Sequence, residues 1–149
     1  MQKLVTALIG GLVLACLGQG VSAEVLITAD EAKLPASANT GTVMRSITRG
    51  PGIDQELPGP NQRVRSPLPL KVKFQTRNNV AIDQSTVRVT YLKAPLVDLT
   101  GRIKKYIRAD GIEIGQAEVP PGVHFLRFDL KDIQGREGSA VIKLTVADR

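Results

Sequence analysis

Hydrophobic and polar residues alternate in short runs from Pro67 onward, and turn residues separate these runs. In the run PLPLKVKF, every second residue from Leu68 to Phe74 is apolar, whereas Lys71 and Lys73 take positions between them. The same period recurs in STVRVTYL, GIEIGQAEV, HFLRFDL and SAVIKLTV. Successive side chains of a β-strand point to opposite faces, so this period predicts strands with one buried face. Short strands at regular spacing are typical of a small antiparallel sandwich.

The stretch DLTGRIKKYIRADG, between the second and third runs, has a helical period instead. Its apolar side would be formed by Leu99, Ile103, Tyr106 and Ile107. Its other side would carry four basic residues, Arg102, Lys104, Lys105 and Arg108. Asp98 or Thr100 can cap the start of a helix here, and Gly111 follows its end. We predict a short crossover helix, and the alternative is a strand over residues 96–99.

Residues 24–66 contain few long apolar runs and many proline and glycine residues, such as Gly50-Pro51-Gly52 and Pro58-Gly59-Pro60. This composition predicts an extended arm or linker. One short helix is expected within it, because Thr28 and Glu31 have the spacing of a capping box and Pro35 would end the helix. A helix of two turns is marginal unless it is docked. Residues 67–149 would then form a single sandwich domain.

The first residues have the arrangement of a secretory signal peptide. Lys3 precedes an apolar run that is too short to span a bilayer, and Val21-Ser22-Ala23 offers a cleavage site. We therefore predict a signal peptide over residues 1–23, cleaved after Ala23, with the mature chain in the periplasm or secreted and without a transmembrane span. The alternative is a lipoprotein anchored at Cys16. The bulky Leu14 and the competing cleavage site argue against it, and the mature chain would contain no cysteine.

The stretch VPPGVHFLRFDLKDIQGREGSAVIKLTV, residues 119–146, resembles the closing hairpin of bacterial immunoglobulin-like domains. It has a Pro-Gly corner, an alternating strand, an Asp-x-x-Gly turn and a last alternating strand. SPLPLKVKF and NVAIDQSTVRVTYL resemble earlier strands of such domains, so the likeness covers roughly residues 66–148. It implies an all-β, immunoglobulin-like antiparallel β-sandwich with one short crossover helix and an extended N-terminal arm. It implies little about function, because this sandwich has many unrelated roles.

The only histidine of the chain, His124, follows the Pro120-Pro121-Gly122 corner. It shares its face with three other predicted core residues, Leu126, Phe128 and Leu130. We predict a buried imidazole that hydrogen-bonds to the backbone near the corner. The alternative roles are a general base or a metal ligand, but one histidine without thiols cannot build a histidine-based metal site. A copper carrier that relies on Met44 and His124 fits equally poorly.

Catalytic signatures are scarce in the rest of the sequence. A serine hydrolase would need a base beside its nucleophile, and no G-x-S-x-G motif occurs. Asp129, Asp132 and Glu137 surround the turn DIQG and could hold calcium through their oxygen atoms. The alternative, which we favour, is that Asp132 and Gly135 only shape the turn. We predict no catalytic residue, no cofactor and no metal.

The net charge of +6 raises the question of an anionic partner. Aromatic residues make up 3% of the chain and tryptophan is absent, so a stacking platform for nucleic acid is not expected. The densest basic cluster is the predicted helix face, Arg102, Lys104, Lys105 and Arg108, and it is either a binding patch for an acidic partner or a solvated surface.

Together these features predict an exported, non-enzymatic module that binds another protein of the cell envelope, for example by strand addition at a sheet edge. The alternative is a carbohydrate-binding module or an accessory domain for an anionic glycan. Sugar platforms need exposed aromatic rings, so that alternative requires Phe125 and Tyr106 to lie exposed and coplanar.

Overall fold

A computed structural model describes residues 22–41 and 49–148. The described strands are β1 (Glu24–Val25), β2 (Gly52–Leu57), β3 (Arg63–Val64), β4 (Leu68–Gln75), β5 (Ile82–Tyr91), β6 (Val97–Asp98), β7 (Ile107–Arg108), β8 (Gly111–Glu118), β9 (Gly122–Asp132) and β10 (Glu137–Val146). The helices are α1 (Ala29–Lys33) and α2 (Thr100–Ile103), with 3₁₀ turns at Ala38–Gly41 and Lys104–Tyr106.

Several predicted features lie outside the described residues. They are the signal peptide as far as Val21, with its Lys3, Leu14 and Cys16, and the proposed copper ligand Met44. Within the described residues, no helix combines the length and the apolar character needed to span a membrane.

The strands form two five-stranded sheets. The first has the order β1-β8-β4-β2, with β7 also paired to β8, and the second has the order β3-β10-β9-β5-β6. Neighbours are antiparallel except for β1 with β8 and β3 with β10, which are parallel. The protein is therefore an all-β sandwich, as the alternating pattern predicts.

The five predicted strands correspond to β4, β5, β8, β9 and β10. Burial alternates along them, so that in β4 the side chains of Leu68, Leu70 and Val72 are buried whereas Lys73 is exposed. The inward side chains of both sheets meet in one core, in which Tyr91 and Phe128 are the largest fully buried residues. Burial of these apolar side chains supplies the main stabilisation of the sandwich.

The short helix occurs at the predicted place but is shorter than the predicted helical face. It ends at Ile103 and tightens into a 3₁₀ turn, after which Ile107 pairs with Ile112 of β8. The alternative strand is also present, because β6 immediately precedes Leu99 and α2. Pairing with the sheet on both sides therefore limits the helix to a single turn.

The structure differs from the prediction of an extended arm over residues 24–66. β1, β2 and β3 all come from this region and join the two sheets, and Leu26 and Ile27 are buried in the core. Strands of two residues carry no recognisable alternation, and their hydrogen-bond partners lie far away in the sequence. The described part of this region therefore belongs to the sandwich.

The stretch Gly50-Pro51-Gly52, which resembles a linker in the sequence, lies against β10. A Cβ atom on Gly50 would overlap the carbonyl oxygen of Glu137, and a Cβ atom on Gly138 would overlap the carbonyl oxygen of Pro51. Glycine is needed at both positions because the two backbones cross in direct contact.

Candidate functional site

The four basic residues of the predicted helix face divide into two pairs in the structure. Arg102 and Lys105 bind acidic side chains of the N-terminal segment, by which we mean residues 24–37. Lys104 and Arg108 are exposed and have no ion-pair partner among the residues that the structure describes. Of the four cations, Lys104 and Arg108 are thus the two without an acidic partner in the described part of the chain.

Arg102 joins α2 to the N-terminal segment through Glu31. Its Nη1 and Nη2 atoms donate to the two carboxylate oxygens of Glu31 at 2.8 and 2.6 Å, and Nη1 also donates to the carbonyl oxygen of Leu26 at 2.8 Å. Glu31 forms the predicted capping box with Thr28 at the start of α1. The hydrogen bond from Arg102 outweighs the effect of burial and lowers the pKa of Glu31 to about 2.

Lys105 holds the start of the same segment. Its Nζ atom lies 2.5 Å from Oε2 of Glu24 and 5.0 Å from the ring centre of Tyr106. The Tyr106 hydroxyl donates to the same carboxylate at 3.1 Å. The hydrogen bond from Lys105 lowers the pKa of Glu24. The charge of Lys105 is therefore already paired within the protein, although its side chain is 63% exposed.

A third cation, Lys93, hydrogen-bonds to backbone carbonyl groups at the end of α1. Its Nζ atom donates to the carbonyl oxygens of Ala32 at 2.9 Å and Leu34 at 2.8 Å. A lysine in this position satisfies carbonyl groups that have no partner within the helix. No sequence signal pointed to Lys93, because its partners lie about 60 positions away, with separations of 61 and 59 residues.

Arg108 borders a groove on the outer face of the first sheet. Lys71 and Lys73 line this groove, and their Nζ atoms lie 3.2 and 3.9 Å from the carboxylate of Glu56. Glu113 also lines it. Opposite charges thus balance within the groove, and Arg108 is one of its basic residues.

His124 is 2% exposed and bonded through both ring nitrogens. Nε2 lies 2.7 Å from the carbonyl oxygen of Pro120, which can only accept, so Nε2 carries the proton. Nδ1 then accepts from the Tyr91 hydroxyl, also at 2.7 Å. Burial lowers the pKa of His124 and raises the pKa of Tyr91 to about 12. The ring thus connects the Pro120 corner to β5.

The other predicted core residues of β9 are also in the interior. Leu126, Phe128 and Leu130 are buried and belong to the same core as Tyr91. The neutral His124 ring has no free nitrogen with which to take a proton from a substrate or bind a metal. The position of His124 therefore suits a structural role.

The three carboxylates near the DIQG turn point to separate partners. Asp132 accepts from the backbone N–H groups of Gln134 and Arg136 and from Nε of Arg136 at 2.9, 3.0 and 2.7 Å. Asp129 binds Arg127, and Glu137 binds Lys131. Burial opposes ionisation of Asp132, but the hydrogen bonds from Arg136 and Gln134 outweigh it and lower the pKa.

This arrangement matches the turn-shaping role of Asp132 and Gly135. Gly135 has φ of 80°, a conformation that glycine adopts at little cost. In the described ranges, no three histidine, cysteine, aspartate or glutamate side chains come together in a way that could hold a metal ion.

The aromatic pair required for a sugar platform is not brought together. Tyr106 lies next to β7 at the first sheet and donates to Glu24. Phe125 lies on β9 of the second sheet, opposite Lys143. The two rings belong to different sheets, so they do not form one flat surface.

Comparison with known proteins finds no matching family model, no matching curated protein and no matching solved structure.

Proposed function

We propose that this protein is an exported, non-enzymatic interaction module of the bacterial cell envelope, and that Lys104 and Arg108 bind an acidic surface of another envelope protein. The division of the basic cluster carries this proposal. Arg102 and Lys105 hold the N-terminal segment, whereas Lys104 and Arg108 remain exposed beside them.

The attachment of Arg102 and Lys105 to the N-terminal segment favours binding by Lys104 and Arg108. Arg102 and Lys105 attach the backbone on either side of Lys104 to the N-terminal segment. A backbone that is already ordered loses less entropy when a partner binds. Exposed cations on such a surface accelerate association with an acidic partner, and salt weakens the effect.

Strand addition at a sheet edge is the other mode of binding to consider. The strands β1, β3, β6 and β7, which lie at the described sheet edges, are two residues long. The longer edge strand β2 has a register shift between Gln55 and Leu57. Short and irregular edges hinder pairing with another chain. However, β3 and β6 each pair with only two residues of β10 and β5, so strand addition along the rest of those two long strands is the second candidate mode of binding.

The test compares capture of envelope proteins by wild-type protein and by the double variant Lys104→Glu/Arg108→Glu. The full chain is expressed, purified and immobilised, and an envelope extract is applied at low and high salt. We expect a protein to be retained at low salt, and both high salt and the variant to abolish its retention. The control Arg63→Glu/Lys143→Glu reverses two exposed cations of the second sheet and should retain it.

Unchanged retention by the Lys104→Glu/Arg108→Glu variant would contradict the proposed site. Retention of a polysaccharide instead of a protein would favour the alternative of an anionic-glycan module. Mass spectrometry of the purified protein tests export, since cleavage after Ala23 leaves Glu24 as the first residue.

A further inference from the structure

One end of the outer face of the second sheet, formed by the beginning of β9 and the last part of β10, carries apolar side chains. His124 and Leu126 are buried, so Val123 and Phe125, which alternate with them along β9, point away from the core. Val141 of β10 also points away, because the residue that follows it is buried in the core. Val123 is 48% exposed, and Phe125 and Val141 are half-buried. Three apolar side chains thus share the side of the sheet that faces away from the core.

Cations lie directly beside these apolar side chains. Lys143 of β10 is paired with Phe125 of β9. In the next outward-facing row, Thr145 is paired with Val123 on one side and with Arg63 of β3 on the other. Neighbouring strands are about 4.8 Å apart, so the two cations lie within one or two strand spacings of the apolar residues.

A third cation, Arg65, belongs to the same surface. Val64 lies between Arg63 and Arg65 and packs against the core, so both arginines point outwards. Arg63, Arg65 and Lys143 are exposed, and none of them forms an ion pair with another described residue. Asp148, which follows β10, is exposed as well. Even with this carboxylate included, positive charge is in excess at this end of the sheet.

The other end of the same outer face has a different character. There Asp129 pairs with Arg127, and Glu137 pairs with Lys131. The acidic side chains of that end are therefore matched by cations of the same strands. The end at which positive charge and apolar side chains coincide is called the basic-apolar end below, and it consists of Arg63, Arg65, Val123, Phe125, Val141 and Lys143.

We infer that the basic-apolar end docks on the anionic surface of a phospholipid bilayer. Each lysine or arginine that reaches anionic headgroups strengthens binding by about fivefold. Val123 and Phe125 would enter the boundary between headgroups and acyl chains, where apolar side chains flanked by cations are stabilised. An acidic glycan would contact the cations alone, so the presence of both kinds of side chain on one sheet face favours the membrane. This contact goes beyond the proposed function, because it does not use Lys104 or Arg108.

Co-sedimentation of the purified protein with lipid vesicles tests this inference. We expect binding to vesicles that contain phosphatidylglycerol and little binding to vesicles of phosphatidylcholine alone. Arg63→Glu/Lys143→Glu should weaken the binding by about thirtyfold or more, because two attractive charges become repulsive. All proteins have the same N-terminus, so residues 1–23 cannot cause a difference between them. Circular dichroism verifies that each variant is folded.

The matched control is Lys104→Glu/Arg108→Glu, which changes the net charge by the same amount away from the basic-apolar end. It should bind the vesicles as the wild type does, although it loses the protein partner of the proposed function, so the two proposals fail separately. A wild type that does not bind the anionic vesicles would overturn the inference, and so would equal losses of binding in the two double variants.

A single tryptophan tests whether the apolar side chains enter the membrane. The chain contains no tryptophan, so Val123→Trp places one fluorescent reporter at the basic-apolar end. Its emission should shift to shorter wavelength when phosphatidylglycerol vesicles are added. The control is Leu57→Trp, which replaces a residue of the first sheet that is 43% exposed and should show no shift. Vesicle binding without a shift at Val123→Trp would overturn the inference and favour an acidic glycan or protein as the partner.

Discussion

Arg102 and Glu31 are 71 positions apart in the chain, and the guanidinium of Arg102 hydrogen-bonds to both carboxylate oxygens of Glu31. The side chains are 33% and 18% exposed, so water screens the pair only in part. Through this contact α2 holds α1 against the sandwich, and with it the buried Leu26 and Ile27. The same contact removes Arg102 from the surface that could attract a partner.

Replacing Arg102 should therefore destabilise the fold. We expect Arg102→Ala to lower the free energy of unfolding by about 2 to 4 kcal/mol, because Glu31 and the carbonyl group of Leu26 lose their donor. Urea unfolding measures the change. The matched control Lys104→Ala should alter stability by less than about 0.5 kcal/mol. Equal effects of the two substitutions would contradict the division of the basic cluster.

Acid should weaken the contribution of Glu31 to the stability of the fold. Its pKa is about 2 in the fold against an ordinary value of 4.5, so the stabilisation is complete above pH 4.5 and is lost as the pH falls towards 2. We expect the ionised Glu31 to stabilise the fold by on the order of 2 kcal/mol. Urea unfolding of wild type and Glu31→Gln at several pH values measures it. A difference in stability that stays constant between pH 6 and pH 2 would argue against this role.

His124 should make the fold sensitive to mild acid. Its pKa is lowered from 6.5 by burial, so the unfolded chain binds a proton more readily than the folded chain. Stability is then full above pH 6.5, falls as the pH drops below that value, and levels off below the folded pKa.

The variant His124→Phe isolates this effect. It should lose about 2 to 4 kcal/mol at neutral pH, because the Tyr91 hydroxyl and the Pro120 carbonyl group lose their partner. The fall in stability just below pH 6.5 should disappear with it. Guanidinium unfolding of both proteins at several pH values measures how the free energy of unfolding changes with pH. An identical pH dependence in the two proteins would refute the role of His124.

Gly138 lies so close to the backbone of Pro51 that a methyl group should not fit there. Gly138→Ala would place its Cβ against the carbonyl oxygen of Pro51, and we expect a loss of about 2 to 3 kcal/mol or more. Gly115→Ala is the control, since no atom lies within 4 Å of the added Cβ there. Thermal melting of both variants gives the comparison. A Gly138→Ala variant as stable as the control would mean that the backbone at Pro51 and β10 do not approach closely.

Calcium should leave the melting temperature unchanged, because both carboxylate oxygens of Asp132 already accept hydrogen bonds within the turn. Asp132→Asn should destabilise the fold by about 1 to 3 kcal/mol, since it breaks the contact with Nε of Arg136. Melting curves with excess calcium and with chelator measure the first effect. If calcium raised the melting temperature and Asp132→Asn abolished that rise, the turn would be a metal site instead.

The regular elements follow from local pattern. Alternation identifies β4, β5, β8, β9 and β10, and the capping residues Thr28 and Glu31 identify α1, because side-chain periodicity and caps act within a few residues. The same alternation placed His124 on the inward face of β9. These features were predictable because each depends on neighbours along the chain.

The two-residue strands and the ion pairs depend on segments that meet only after folding. β1 exists because Glu24 and Val25 lie beside Ala117 and Glu118, and no pattern in two residues could indicate that pairing. The alternating runs and caps thus determined the all-β sandwich and the inward face of His124. The tertiary structure alone decided which cations of the basic cluster are free, because charges separated by 71 residues or more pair only when folding brings them within contact distance.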